Sequence, residues 1–82
     1  MNKIKVLFFA TLRDYVGAKS VEIEILPRTT VQGLTDLLVK TYPRLEKVRG
    51  SMMAAINREY ASEDQEISNG ADIAFFPPVS GG

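Results

Sequence analysis

The sequence contains no cysteine, histidine or tryptophan among its 82 residues. The absence of cysteine excludes disulfides, thiolate nucleophiles and the soft ligands that zinc prefers. The absence of histidine removes the side chain that ordinarily titrates near neutral pH. Carboxylates, lysines, hydroxyls and tyrosines remain, but a chain this short offers little depth in which to bury and tune them. We therefore expect no catalytic side chains in this chain and no enzyme that acts alone.

Basic residues are missing from the C-terminal part of the chain. Residues 59–82 hold five acidic residues and no lysine or arginine, whereas residues 1–58 hold all ten basic residues and five acidic ones. A net charge of zero therefore combines +5 (ten minus five) with −5. This asymmetry is either a dipolar surface or a chance arrangement of solvated charges. The basic residues are dispersed and lack interleaved aromatics, so nucleic-acid binding is not expected.

Long hydrophobic runs are also absent. The apolar run at residues 6–10 follows two lysines, as in a signal peptide, but it is shorter than the roughly 7 to 15 residues of such a segment. No stretch approaches the roughly 18 apolar residues that a membrane span requires. We expect a cytoplasmic protein that does not enter the membrane.

The apolar residues that are present, 45% of the chain, are enough for one small core. Alternating patterns predict strands at residues 3–10, 20–26, 52–57 and 72–76, with a turn at 14–19 around Gly17 and a short segment near Tyr60. Between them, the spacing of apolar residues from Val31 to Thr41 predicts an amphipathic helix, which Pro43 ends. The order of elements predicts a two-layer α+β domain with the helix on one face of the sheet.

Two details of the helical region follow from its sequence. Thr29 and Gln32 have the spacing of a capping box, while Gly33 in the first turn predicts a frayed start. Residues 45–48 predict a short second helical turn.

The chain finishes with the sequence FFPPVSGG, residues 75–82. Pro77 and Pro78 supply no N–H donor and fix φ, so the chain is expected to leave the sheet as an extended tail over residues 77–82. Gly81 and Gly82 have no Cβ and would fit a channel too narrow for a side chain. The alternative is a loose chain end.

FFPPVSGG, together with VLFFATLRDYVG at residues 6–17, resembles the sulfur-carrying small subunits of molybdopterin synthase, which are ubiquitin-like β-grasp proteins. The resemblance covers the whole chain, and Gln32-Gly33 is a mild departure from it. It implies a single β-grasp domain over residues 1–82, with a mixed sheet of four to five strands and one main helix packed on one face.

The resemblance also implies a chemistry located at Gly82 and the preceding Gly81. The Gly82 carboxylate would be adenylated by a ubiquitin-activating-like adenylyltransferase that uses ATP and magnesium, and a sulfur donor protein would then convert it to a thiocarboxylate. The sulfur would pass to a pyranopterin precursor in the large catalytic subunit, within a heterotetramer. The chain itself would bind no cofactor or metal.

Strand parity predicts where partners bind. If the helix covers one face of the first and last strands, Leu7, Phe9, Ala74 and Phe76 are left uncovered on the other face. Such residues form either a partner surface or an ordinary scatter of exposed apolar groups. The predicted partner-binding residues are Leu7, Phe9, Arg13, Tyr60, Phe76, Pro77, Pro78, Val79 and Ser80.

Three other functions share these features. A sulfur carrier for thiamine or another thiolation pathway would have the same fold and the same two final glycines. A ubiquitin-like protein modifier would join Gly82 to a lysine of its target. An interaction module with an inert tail would tolerate the loss of Gly81 and Gly82.

Overall fold

Alternating apolar residues build the sheet of this protein, which is described for residues 1–77 by a computed structural model. The elements are β1 (Asn2–Phe8), α1 (Thr11–Val16), β2 (Ser20–Ile25), α2 (Val31–Thr41), a 3₁₀ helix (Pro43–Val48), β3 (Met53–Ile56), β4 (Glu59–Ala61) and β5 (Asp72–Phe76). Of the predicted tail, only Pro77 lies within the described residues; Pro78, Val79, Ser80, Gly81 and Gly82 lie outside them.

The five strands form one mixed sheet in the order β2-β1-β5-β3-β4. The first and last strands, β1 and β5, are parallel neighbours at its centre, and the other pairs are antiparallel. One main helix, α2, packs its buried residues into the core that the sheet forms. The predicted two-layer α+β architecture, with a mixed sheet and one main helix, is confirmed.

One face of the two central strands carries the core. Ile4, Val6 and Phe8 of β1 and Ile73 and Phe75 of β5 are all at most 3% exposed. They pack in one cluster with apolar residues of α2. The predicted division of these strands into a covered and an uncovered face is therefore confirmed.

The first strand is shorter than predicted, and a helix replaces the predicted turn. β1 ends at Phe8, and Ala10, with φ of 52°, turns the chain into α1. α1 buries Leu12 completely and ends at Gly17, whose φ is 83° and whose N–H donates to the carbonyl of Arg13 at 2.7 Å. Such a left-handed C-cap favours glycine, which has no Cβ to clash.

The start of α2 also differs from the prediction. Thr30, not Thr29, is the N-cap, and its hydroxyl accepts a hydrogen bond from the Gly33 N–H at 3.1 Å. The Val31 N–H donates to the carbonyl of Gln65 at 2.9 Å. Because the loop before β5 supplies this distant acceptor, the prediction of a frayed first turn was wrong.

The second half of the chain follows the predicted order. The predicted helical turn is a 3₁₀ helix that begins at Pro43, and β3 lies inside the predicted strand at residues 52–57. A two-residue turn, Asn57-Arg58, joins β3 to β4, since Ile56 and Glu59 are paired across the two strands. Within residues 1–77, no helix is long and apolar enough to cross a membrane.

Candidate functional site

The uncovered face of the sheet carries a row of apolar residues that crosses four strands. Leu7 of β1 is paired with Ala74 of β5, Ala74 with Ala55 of β3, and Ala55 with Tyr60 of β4. Paired residues on neighbouring strands point to the same face. Because the two alanines are much smaller than the leucine and the tyrosine beside them, the row forms the floor of an open groove.

Aromatic rings form one wall of this groove. Phe9 and Phe76 stack with ring centroids 4.8 Å apart and planes 11° apart. The ring of Tyr60, which is 75% exposed, lies 6.4 Å from that of Phe76. Offset and tilted ring pairs of this kind add about 0.5 to 1.5 kcal/mol beyond the area they bury, so the wall is held in place before anything binds.

Polar residues mark the two ends of the groove. The guanidinium of Arg13 lies 5.7 Å from the centroid of the Phe9 ring, and its Nε donates to the carbonyl of Phe8 at 2.9 Å. Asn57, Arg58 and Asp72 line the groove near the start of β5. The cation at Phe9 is thus fixed by both a ring and a backbone carbonyl, while its terminal nitrogens make no hydrogen bond within residues 1–77.

The rest of the uncovered face is charged and internally compensated. Lys3 is paired with Glu24, and Lys5 with both Glu22 and Asp72, on neighbouring strands. Opposite charges at paired positions are favourable neighbours, although none of these pairs forms a salt bridge among residues 1–77. The face is therefore divided into a charged half, in which acids and bases are paired across the strands, and an apolar half, which carries the stacked and half-buried rings of Phe9 and Phe76.

The structure brings most of the predicted partner-binding residues together. Leu7, Phe9, Tyr60 and Phe76 all line the groove, and Arg13 contacts its aromatic wall. Pro77 directly follows Phe76 and is the last described residue; the predicted Pro78, Val79, Ser80, Gly81 and Gly82 lie outside the described range. Which of these residues contact a partner stays a prediction.

Sequence reasoning did not include four residues of the groove, namely Ala55, Asn57, Arg58 and Asp72. The Asn57 side-chain oxygen accepts from the Asp72 N–H at 3.0 Å, and the Asn57 N–H donates to the Asp72 carbonyl at 2.8 Å. The one local signal was the asparagine itself, which is typical of a tight hairpin turn.

The groove has the composition of a binding surface. Its floor and wall are apolar, and its charged groups are confined to the ends. In the part of the chain that the structure describes, no group of three or more acidic residues is arranged to hold a metal ion. Stacked aromatics beside a guanidinium are typical of protein–protein contacts.

A five-stranded mixed sheet with parallel first and last strands and one main helix on one face defines a ubiquitin-like β-grasp protein. The model of the ThiS family matches residues 6–82. Among the relatives that match over almost the whole chain are two molybdopterin synthase sulfur carrier subunits. The one from Escherichia coli is 38% identical over 81 residues, 96% of this chain and 99% of its own. The one from Arabidopsis thaliana is 35% identical over 80 residues, 98% of this chain and 83% of its own. The chain belongs to the ThiS family, and within it to the sulfur carrier subunits of molybdopterin synthase, which serve molybdenum cofactor biosynthesis.

Solved structures agree with this fold. A putative molybdopterin converting factor subunit 1 from Pyrococcus furiosus is 28% identical, with a TM-score of 0.87 over 96% of this chain and all of its own. Small archaeal modifier protein 1 from Haloferax volcanii is 26% identical, with a TM-score of 0.86 over the same shares. A complex of subunits 1 and 2 of molybdopterin-converting factor from Helicobacter pylori contains a chain that is 20% identical, with a TM-score of 0.68 over 98% of this chain and 99% of its own. At that identity, the last likeness bears on the fold alone.

Proposed function

We propose that this chain carries sulfur on its terminal Gly82 as a thiocarboxylate, and that the apolar groove is where its partners bind. The observation that carries the proposal is the continuity of β5 with the tail. Phe76, the last residue of β5, forms the groove wall, and Gly82 follows six residues later in the sequence. Six residues span at most about 20 Å. A partner seated on the groove would therefore have the carboxylate within about 20 Å of its contact with Phe76.

The proposed chemistry activates the carboxylate in two steps. A carboxylate is a poor electrophile, so ATP and magnesium on an adenylyltransferase would convert it to an acyl adenylate with release of pyrophosphate. Sulfide-level sulfur released by a donor protein would then attack the carbonyl carbon and displace AMP, replacing the C–O bond of the mixed anhydride by a C–S bond. If the donor holds its sulfur as a persulfide, the attack would give an acyl disulfide, and a thiol would cleave its S–S bond to release the thiocarboxylate and leave a disulfide on the donor side. Every acid, base and metal would come from the partners. The lack of cysteine and histidine in the whole sequence supports this division of labour.

The large catalytic subunit of molybdopterin synthase is the proposed partner, in which the sulfur would pass to a pyranopterin precursor. The likeness to the molybdopterin synthase sulfur carrier subunits of Escherichia coli and Arabidopsis thaliana supports this partner. The groove offers the kind of contact it would need, because stacked rings lie beside the strand that leads to the tail. The proposed contacts are Leu7, Phe9, Arg13, Tyr60, Phe76, Pro77, Pro78, Val79 and Ser80, with Gly81 and Gly82 entering the reaction centre.

The test is to load the purified chain with sulfur and then label it. Incubation with ATP, magnesium, the activating enzyme and a sulfur donor exchanges one oxygen for sulfur, a gain of about 16 Da that oxidation of a methionine would also produce. A thiol-directed alkylating reagent separates the two cases, because the sequence has no cysteine to label. We expect label on the C-terminal peptide of the native chain. A variant extended by one residue after Gly82 is the matched control and stays unlabelled. An unlabelled native chain would overturn the proposal.

A second candidate function is protein modification through an isopeptide bond from Gly82 to a lysine of a target. The likeness to small archaeal modifier protein 1 favours it as an addition to sulfur transfer. Mass shifts of about one chain on cellular proteins, lost when Gly82 is deleted, would support it. If these mass shifts are absent from cells in which the chain is labelled as a thiocarboxylate, protein modification is ruled out and sulfur transfer is the function that is supported.

A further inference from the structure

Arg58 stands at a turn position that usually favours glycine. The two-residue turn between β3 and β4 has positive φ at both central residues, 49° at Asn57 and 73° at Arg58. This type I′ turn favours asparagine followed by glycine. Asn57 fits the first position, but a residue with a Cβ is strained in the second. The turn alone therefore gives no reason for an arginine at this position.

Hydrogen bonds of the neighbouring Asn57 fix the position of the turn that contains Arg58. Asn57 both accepts from the N–H of Asp72 and donates to its carbonyl, so the end of β3 is tied to the start of β5. The side chain of Arg58 lines the groove beside these two residues. Among residues 1–77, it takes part in no salt bridge and no side-chain hydrogen bond, since both salt bridges belong to Arg49. A guanidinium is thus positioned at the groove without a described partner.

The charges around the groove are unequal. Arg13 lies at the aromatic end and Arg58 at the end where β5 begins, against the single carboxylate of Asp72. Asp72 also has Lys5 as its neighbour on β1. A protein that covers the groove is therefore complementary if it brings a carboxylate to the end at which Arg58 lies. A guanidinium is well suited to such a contact, because it is weakly hydrated and binds carboxylates with two parallel hydrogen bonds.

We propose that Arg58 is a specificity-determining contact for the protein that docks on the groove, and that it pairs there with a carboxylate of that protein. The occupant would place an apolar side chain between Leu7 and Tyr60 and an acidic residue at the turn. This inference rests on the proposed function, in which the groove is the docking surface of the large subunit. The contact with the partner would then offset the conformational cost of a positive φ at Arg58.

The proposal predicts effects of opposite sign on folding and on binding. Arg58→Gly removes the strained Cβ and the charge together. We expect the variant to melt at or above the temperature of the native chain, by up to about 4 to 8 °C, while its affinity for the purified large subunit falls about 5- to 10-fold. Its affinity should also depend less steeply on salt concentration, because one charge pair is missing. Arg58→Lys keeps the charge without the planar fork and is expected to lose part of the affinity.

The chain offers a matched control in Arg28→Gly. Arg28 is also an exposed arginine with positive φ, 68°, but it lies in the loop between β2 and α2 and does not line the groove. The same substitution there relieves the same kind of strain and removes the same charge. We expect Arg28→Gly to melt at or above the native temperature and to bind the large subunit as the native chain does.

The outcomes separate this inference from the function on which it rests. Native affinity in Arg58→Gly, or an equal loss in both glycine variants, overturns the role of Arg58 and leaves the carrier function standing. A native chain that is labelled as a thiocarboxylate but does not bind the large subunit overturns the docking surface and this inference together. A native chain that binds but is never labelled overturns sulfur transport and leaves the contact of Arg58 in place.

Discussion

Two adjacent phenylalanines at the end of β5 are expected to have opposite effects when each is truncated to alanine: one variant loses mainly stability, the other mainly affinity for the large subunit. Phe75 is 1% exposed, and its ring lies 6.4 Å from that of Phe8 inside the core. Phe76 is half-buried on the other face and stacks on Phe9 at 4.8 Å. Successive residues of a strand point to opposite faces, so one ring belongs to the core and the other to the groove.

The magnitudes differ enough to separate the two variants. Truncation of a buried phenylalanine costs about 3 to 5 kcal/mol. A chain of this length has a free energy of unfolding of about 4 to 12 kcal/mol, so Phe75→Ala should lower the melting temperature by more than about 10 °C. Phe76→Ala loses one ring pair, about 0.5 to 1.5 kcal/mol of stability. As an aromatic anchor of an interface it would cost about 2 kcal/mol or more of binding, which is a roughly 30-fold loss of affinity.

Thermal melts and titrations with the large subunit measure both quantities. Binding of each variant is compared well below its own melting temperature, where it is folded. Phe75→Leu replaces Phe75→Ala if the alanine variant is unfolded throughout. The reasoning is refuted if Phe76→Ala destabilises the fold more than Phe75→Ala does. It is also refuted if Phe76→Ala binds with native affinity, because the groove would then not be the docking surface.

Four further predictions concern the tail and the ends of the helices. Deletion of Gly82 should abolish thiol labelling and leave the melting temperature unchanged, as melts and labelling of the same preparation would show. Thr30→Ala removes the N-cap hydroxyl of α2 and should cost about 1 kcal/mol in denaturant unfolding, whereas Gly33→Ala should gain up to about 1 kcal/mol, since its Cβ would meet no atom closer than 3.4 Å. Gly17→Ala should cost about 1 kcal/mol or more in the same assay, because φ of 83° strains any residue with a Cβ.

The strands of the central sheet were predictable because their side chains alternate. Ile4, Val6 and Phe8 occur at every second position, and the covered face follows from this period alone. The helix α1 was missed, although Leu12, Tyr15 and Val16 have helical spacing. Six residues that end at a glycine are also consistent with a turn, and burial of Leu12 in the core cluster decides between the two.

Part of the site was also predictable from local sequence, and part depends on contacts between distant segments. The aromatic wall was predictable, because parity places Phe9 and Phe76 on one face once β1 and β5 are neighbours. The contribution of Ala55 and Arg58 was not, because it depends on the pairing of β3 with β5 and on the register of that pair. No local sequence pattern near Arg58 predicts that its turn lies beside Asp72, which is fourteen positions further along the chain (72 minus 58).

The proposed function explains why a carrier with so few chemical groups needs an ordered fold. A chain that supplies no acid or base contributes to the reaction by position alone, and position depends on how firmly the base of the tail is held. Here β5 is the strand that holds it: Phe75 is anchored in the core, Phe76 is held by Phe9 in the groove wall, and β1 and β3 flank the strand on both sides. A partner that binds the groove therefore contacts β5, the strand from which the tail begins. The number of residues between Phe76 and Gly82 then limits the distance from that contact to the carboxylate, whatever their side chains are.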